Sequence, residues 1–440
     1  MLTFWYCTED ILTDPIGYNG SNPTKFSFSS ITDEERKTGR ISFNKTYFST
    51  SNDFTNHKNN LIRSGKGECF QPIIAKDIER IPGFPEQLGF SKEAFKKTFE
   101  KYIEKGEISI AITNAMSNAI GDHMIGMTAL RNFREELSKY IPNEKITINL
   151  FQLSPYKLKQ ITEQWEGIWQ NVFILPSSLN ILLSHDVLFD LGGFLLYENF
   201  EEQSLMSFFE DALSIKSLNL DKSKKRIVYT PNKDSKQKIN SLMKVVRRKE
   251  KGNPVLLYHN LSTTPLRSIP NSMAKKHVQQ ILDTSNFSIV SATGLDFEHE
   301  RFFNLNNYSK DLDDFASIIS EVDGIITVDT STYHLADAFS TPTVVIFSTI
   351  DPAKRCEDYP FVKGVFIEKE DGMLKDCHKI EIHDSDILEK LEYSKNLFQS
   401  VDIEEILDEL KKIMTSQDSE KCGWEDLSGW PNLEKGEAGK

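Results

Sequence analysis

The chain has 440 residues, enough for two or three domains with their own cores, and its 39% hydrophobic and 27% charged content is ordinary for a soluble globular protein. A net charge of -13 speaks against nucleic acid as a partner, because phosphate backbones are held by basic faces. Five scattered cysteines speak against a disulfide framework, no apolar run approaches a membrane span, and Met1–Thr13 lacks the basic region of a secretory signal, so a cytoplasmic location is expected.

Met1 to about Pro72 is rich in Ser, Thr, Asn, Gly and Phe, with short alternating runs such as ISFNKTYFST and no long helical pattern. This predicts a β-rich extension, completed by an amphipathic helix over Lys92–Lys105 with Phe95, Phe99 and Ile103 at helical spacing, so that the extension covers residues 1–105. From Ile108 strands and helices alternate, as they do around a mostly parallel, doubly wound sheet. The expected elements are a strand Ile108–Ile112, a turn to Asp122, and a helix His123–Leu137 with Met127, Leu130, Phe133 and Leu137 on one face. Strand Ile146–Phe151, helix Lys157–Trp165, strand Val172–Leu175 and a mixed stretch to Leu218 follow. A strand Arg226–Thr230 and a basic helix Ser235–Lys249 are expected to close this lobe, 106–250, with the charged run Lys244–Lys251 as linker.

The pattern then restarts in a second lobe, 251–400. It has strand Pro254–His259, loop Asn260–Pro270, helix Asn271–Leu282, strand Phe287–Ala292 and helix Asp313–Val322. Strand Ile325–Val328, the turn Asp329–Thr332, helix Tyr333–Phe339 and strand Thr343–Phe347 complete a βαβ unit. A final amphipathic helix Val401–Met414 occupies 401–415, and 416–440 reads as a disordered tail. Two such lobes suggest a cleft, with ligands at the carboxyl ends of the strands.

The turn Asp329-Thr330-Ser331-Thr332 brings hydroxyls and exposed N–H groups to a helix start, which favours a bound phosphate. Plain capping would also account for Asp329, Thr330 and Ser331. His334 adds a ring in the first helical turn that can point toward the same anion. The run DTSTYHLADA followed by Pro342-Thr343 resembles the C-terminal motif D-T-G-x-x-H-L-A-x-A of family 9 glycosyltransferases, the lipopolysaccharide heptosyltransferase group, with Ser331 in place of the family glycine. The resemblance implies an α/β GT-B architecture, two doubly wound Rossmann-like lobes facing a cleft, here with a β-rich N-terminal extension. It also implies a nucleotide-sugar donor, ADP-heptose by family, and an acceptor that is a glycan, a lipid-linked molecule or a protein.

The second motif, Asn118 to His123, follows the first strand of the first lobe. Gly121 lets the chain turn and Asp122 stands at the helix start, where spacing alone reads it as a cap. The family pattern of Gly-Asp, a small residue, Leu and Arg is matched by Gly121, Asp122, Ala129, Leu130 and Arg131, and implies that Asp122 is the catalytic base of an inverting transfer. Gly121 and His123 would then position acceptor or substrate. A third segment, His259 to Arg267, offers hydroxyls and one guanidinium that suit a diphosphate, although a polar surface loop explains it equally well. By resemblance Thr263, Thr264 and Arg267 contact the donor phosphates and Gly294 lies near the base or ribose.

The pairs Asp311-Leu312-Asp313 and Asp384-Ser385-Asp386 have metal-binding spacing but read as helix caps, and Cys356, Cys377, His378 and His383 contain no C-x-x-C pair. No metal or cofactor is expected, the helix start, Arg267 and His334 standing in place of Mg²⁺. Alternatives are a nucleotide-sugar 2-epimerase or hydrolase on the same fold, or a non-catalytic nucleotide-sugar binder. Peripheral membrane association and oligomeric state stay open.

Overall fold

The computed structural model describes residues 2–13, 26–38, 40–63, 65–115, 119–152, 155–165, 167–191, 200, 202–249, 252–368, 372–374 and 386–421. The chain divides into two compact units, Met1–Thr230 and Pro231–Lys440.

The first unit opens with β1 (Leu2–Cys7), β2 (Ile11–Thr13), β3 (Phe26–Phe28), β4 (Thr46–Thr50) and β5 (Phe70–Ile73). Successive strand residues point to opposite faces, and β1 is buried on both. Phe4 packs with Phe48, Phe151 and Leu188, while Trp5 packs with Phe28, Tyr47 and Phe70. The extension is therefore fused to the core of its unit. It also carries a thirteen-residue helix, Ser51–Arg63, which the sequence reading missed because only three of its residues, Phe54, Leu61 and Ile62, are apolar. The helix expected over Lys92–Lys105 is two short ones, Phe95–Thr98 and Glu100–Lys105. They break at Phe99, whose ring turns in against Phe95 (4.7 Å) and Phe133 (5.5 Å), and Tyr102 rather than Ile103 is buried beyond it.

Next come β6 (Glu86–Gln87), β7 (Ile108–Thr113), β8 (Ile146–Gln152), β9 (Asn171–Ile174), β10 (Ser177–Ser178) and β11 (Val187–Asp190). The order β6-β11-β7-β8-β9 makes a parallel sheet, and β10 joins the antiparallel sheet β10-β4-β1-β5. Four-residue β11, hidden in the stretch read as mixed, is an inner strand beside β7. The strand expected at Arg226–Thr230 joins no sheet: Ile227 and Tyr229 are buried in alternation, but β6 and β9 already form the edges.

The second unit has six parallel strands: β12 (Val255–His259), β13 (Ser288–Ser291), β14 (Phe302–Asn304), β15 (Gly324–Val328), β16 (Thr343–Phe347) and β17 (Val362–Phe366). Their order β14-β13-β12-β15-β16-β17 is the doubly wound order 3-2-1-4-5-6, with its switch point between β12 and β15. The basic helix, Lys233–Lys249, belongs here and not to the first lobe. It buries Ile239, Met243 and Val246, Asn240 bonds Glu321 (2.9 Å), and Arg247 pairs with Asp323 (2.8 Å), so the boundary falls at 230/231, not near 250. Helix Ile403–Lys421 seats Ile403, Ile406, Leu407 and Leu410 in the core, running past Met414 into the segment read as a tail. Residues 422–440 lie outside the described residues, as do Asn118, Cys377, His378, His383, Asp384 and Ser385. Among the described residues no group of His, Cys, Asp or Glu could hold a metal ion, and no helix is long and apolar enough to cross a membrane.

Candidate functional site

At the second unit's switch point β12 and β15 run side by side, His259 opposite Thr327, and their following segments diverge. The apolar run VLLY of β12 ends at His259, where polar residues take over. The loop that follows is pinched at its base, since Ile269 N–H donates to the Asn260 carbonyl (2.8 Å) and the Asn260 side-chain amide donates to the Ile269 carbonyl (2.9 Å). Inside it the short turn Pro265–Arg267 is anchored by the hydroxyls of Ser348 and Ser394, which both donate to the Leu266 carbonyl.

These anchors aim Arg267. Its Nη1 donates to Asp329 Oδ2 (2.8 Å), its Nη2 to Thr263 Oγ1 (3.2 Å) and Thr264 Oγ1 (2.9 Å), and its Nε to Thr264 Oγ1 (3.2 Å). Ser262 Oγ donates to the Asp329 carbonyl (2.8 Å) and ties the two strand-end segments together. Thr263, Thr264, Arg267 and Asp329 thus form one cluster. Thr264 Oγ1 accepts two bonds from the guanidinium, which uses both lone pairs, so what it has left to offer is its proton. The cluster presents oriented hydroxyl donors polarised by a fixed positive charge, an arrangement suited to phosphate oxygens.

Helix Ser331–Phe339 starts beside it, with Thr330 as an extended N-cap whose side chain makes no capping bond. Ser331 is the first helical residue, half-buried, and has no positive φ, so the backbone there does not require glycine. Thr332 is buried and its hydroxyl lies 3.1 Å from His259 Nδ1. Burial pushes the His259 imidazole down to about 4. His334 is also buried: its Nδ1 lies 2.7 Å from Tyr359 Oη and its ring lies against Tyr333. Burial first, then the charge of Arg355, push it down to about 3 against the opposing pull of Asp329. Both rings are neutral at pH 7, so the positive charge at this end comes from Arg267, Arg355 and the helix start, not from His334.

The sequence reading passed over Arg355. It lies on the short helix Pro352–Cys356, capped by Asp351, and its charge also acts on Tyr333 and Cys356. The available signal was a basic residue within one helical turn of a strand-end loop. Gly294 adopts φ +70° in an exposed turn after β13. Thr293 Oγ1 donates to Asn260 Oδ1 (2.7 Å) and so links that turn to the Arg267 loop.

In the first unit, helix Ile120–Leu137 begins three residues earlier than expected, so Gly121 and Asp122 lie within its first turn and Gly121 makes no sharp turn. Asp122 is half-buried there, where the helix dipole favours a carboxylate. His123 is fully buried, with Nε2 3.0 Å from Thr162 Oγ1. Arg131 is likewise buried, donating to the Lys224 carbonyl (2.6 Å) and lying over the Trp165 ring.

Residues 305–359 match glycosyltransferase family 9 (heptosyltransferase), a segment that contains Asp329, Thr330, Ser331 and His334 and ends at Tyr359. No curated protein matches the chain. Similar solved structures include ADP-heptose LPS heptosyltransferase II of E. coli, at 12% identity over 71% of this chain and 100% of that one, TM-score 0.47. A family 9 glycosyl transferase from Veillonella parvula DSM 2008 matches at 11% over 70% and 97%, TM-score 0.44. The iron-containing dodecameric glycosyltransferase TibC of enterotoxigenic E. coli H10407 matches at 12% over 71% and 80%, TM-score 0.43. The likeness read from the run Asp329 to Ala338 is borne out, and two units on parallel doubly wound sheets are the make-up of the GT-B class.

Proposed function

We propose, from the family 9 glycosyltransferase signature at residues 305–359, that this chain transfers a sugar from a nucleoside diphosphate donor to an acceptor hydroxyl, with inversion and without a metal ion. The family description names heptosyl transfer, and ADP-heptose is the donor we assign. The observation that carries the reading is the Arg267–Asp329 pair with its two threonines at the second unit's switch point.

Arg267, the Thr263 and Thr264 hydroxyls and the first N–H groups of helix Ser331–Phe339 bind the diphosphate and stabilise the charge that grows on it as the sugar departs. Asp329 holds the guanidinium in one orientation, so little reorganisation accompanies the step. Asp122 takes the proton of the acceptor hydroxyl. The acceptor oxygen bonds to the anomeric carbon on one face while the bond to the diphosphate breaks on the other, its electron pair leaving with the phosphate.

The test is thermal unfolding of the purified chain with ADP-, GDP- and UDP-sugars, with and without EDTA, followed by transfer assays with any donor that binds. Stabilisation by an ADP-sugar that survives EDTA is expected. Silence from every nucleotide sugar overturns the reading, and binding or turnover abolished by EDTA overturns its metal-free part.

A further inference from the structure

A cavity of about 380 Å³ opens in the second unit at the amino ends of β12, β15 and β16. Pro254, Asp323 and Pro342, each the residue before one of these strands, lie in its wall, so it is at the end of the sheet opposite the Arg267 cluster. Its size is that of a small-molecule site.

Three helices finish at this wall: Lys233–Lys249 with Arg247, Leu312–Glu321 with Ser320, and Ser331–Phe339 with its last residue. Each carboxyl-terminal helix end carries roughly half a negative charge. Arg247 and Asp323 bear the formal charges of the wall and cancel, because Arg247 Nη1 donates to Asp323 Oδ2 (2.8 Å) and Nη2 to Asp323 Oδ1 (3.1 Å). The field that remains comes from the helix ends and is negative.

The hydrogen-bonding groups have the same bias. Ser340 N–H donates to the Asp337 carbonyl (3.0 Å) and Thr341 N–H to the Ala336 carbonyl (2.9 Å). The next carbonyl, that of Ala338, would take its helical bond from position 342, and Pro342 has no N–H to give, so this acceptor is left over at the helix end. Ser320 Oγ donates its proton to the Ser317 carbonyl (2.9 Å) and is left as an acceptor, and Thr341 Oγ1 donates to the Ile319 carbonyl (3.1 Å). Arg247 spends its terminal nitrogens on Asp323 and on the Glu321 carbonyl (2.8 Å). The wall therefore offers acceptors and few donors, beside the apolar surface of Phe339 and Met414.

We infer that this cavity is a ligand site apart from the strand-end crevice, and that it takes a small organic cation, an alkylammonium or alkylguanidinium. An ammonium group has three protons to give and accepts none, which matches a wall of carbonyl and hydroxyl acceptors in a negative field. Its methylenes lie against Phe339 and Met414. Phosphates and nucleotides carry the wrong charge for this end of the sheet. The inference stands whether or not the chain is a transferase.

Calorimetric titration of the full chain with three probes of equal carbon length, putrescine, butanediol and succinate, tests the charge preference, and hydrogen exchange locates the bound probe. Putrescine should bind saturably and protect residues 320–323 and 339–342, with butanediol weaker by about tenfold or more and succinate unbound. Ser320→Lys, which tethers an ammonium group at a helix end, should raise the melting temperature and abolish putrescine binding. Met414→Trp, which fills the cavity from helix Ile403–Lys421, should weaken that binding about tenfold. No saturable putrescine binding, equal or tighter binding of butanediol or succinate, protection confined to other segments, or wild-type affinity in both variants would each overturn the inference.

Discussion

The two units carry the same kind of edge, finished in opposite ways. At the carboxyl end of β12 and β15 the polar groups engage one another: Arg267 with Asp329, Thr263 and Thr264, His259 with Thr332, Asn260 with Thr293. At the carboxyl ends of β7, β8 and β11, Thr113 and Asn114 bond Asp190, while Asn114 Oδ1 and both ends of the Gln152 amide are buried without a hydrogen-bond partner among the described residues. A site for a doubly charged leaving group gains from donors fixed before the ligand arrives, because reorientation during the reaction would raise the barrier.

The sharpest way to separate the two edges is to disable each in turn. Asp122→Asn, in the first unit, is expected to lower the transfer rate by about 10²–10⁴, the usual contribution of a general base, with the donor dissociation constant unmoved. Steady-state rates beside calorimetric titration of the donor decide it, and a variant keeping a tenth of the wild-type rate would remove Asp122 from the chemistry. Arg267→Ala, in the second unit, should act in reverse order, on donor affinity first. Losing charged hydrogen bonds of about 1.5–3 kcal/mol in all corresponds to roughly 10- to 150-fold weaker binding. An affinity within threefold of wild type would leave the Arg267–Asp329 pair a purely structural clasp.

How legible these edges were differs in the same way. The second unit could be read strand by strand, because buried parallel strands such as VLLY and IITV are continuous apolar runs and each ends at a polar turn. The members of the Arg267 cluster were named from motif and loop chemistry, but the inward turn of His334 was not, since side-chain direction within a helical turn is settled by packing partners such as Tyr359, 25 residues away. The first unit was harder. Its inner strand β11 has only four residues, Arg226–Thr230 has strand-like alternation but joins no sheet, and the helix Ser51–Arg63 has only three apolar residues, Phe54, Leu61 and Ile62. Asn114, Gln152 and Asp190 escaped notice because nothing local marks them. Only the sheet order brings their strand ends together.

Acid should bring out the contrast in stability. The folded second unit holds His259 and His334 below the ordinary imidazole value, near 4 and 3, so the unfolded chain binds protons at a higher pH than the folded one. Their contribution is therefore complete above about pH 6.5 and is lost as pH falls toward those values, at about 1.4 kcal/mol per pH unit for each ring. Hydrogen exchange of β12 and β15 at pH 7, 6 and 5 should show progressive loss of protection, with a shallower slope in His334→Gln. Protection that does not change over this interval would mean that the rings are accessible and protonate freely.

The smallest effect concerns Gly294, for which a plain turn and a contact with the nucleotide's base or ribose make different predictions. Its φ of +70° disfavours a side chain, whereas the space for one exists, since an added Cβ would meet only Asn306 at 3.6 Å. Gly294→Ala should therefore destabilise the chain by about 1 kcal/mol through backbone strain alone. Gly294→Asn should destabilise it less, because asparagine accepts the left-handed region. If the position is only a turn, donor affinity follows stability, with alanine the worse of the two. If the nucleotide packs on this backbone, the larger asparagine side chain weakens donor binding more than alanine while destabilising the fold less, and melting curves with and without ADP separate the two orders.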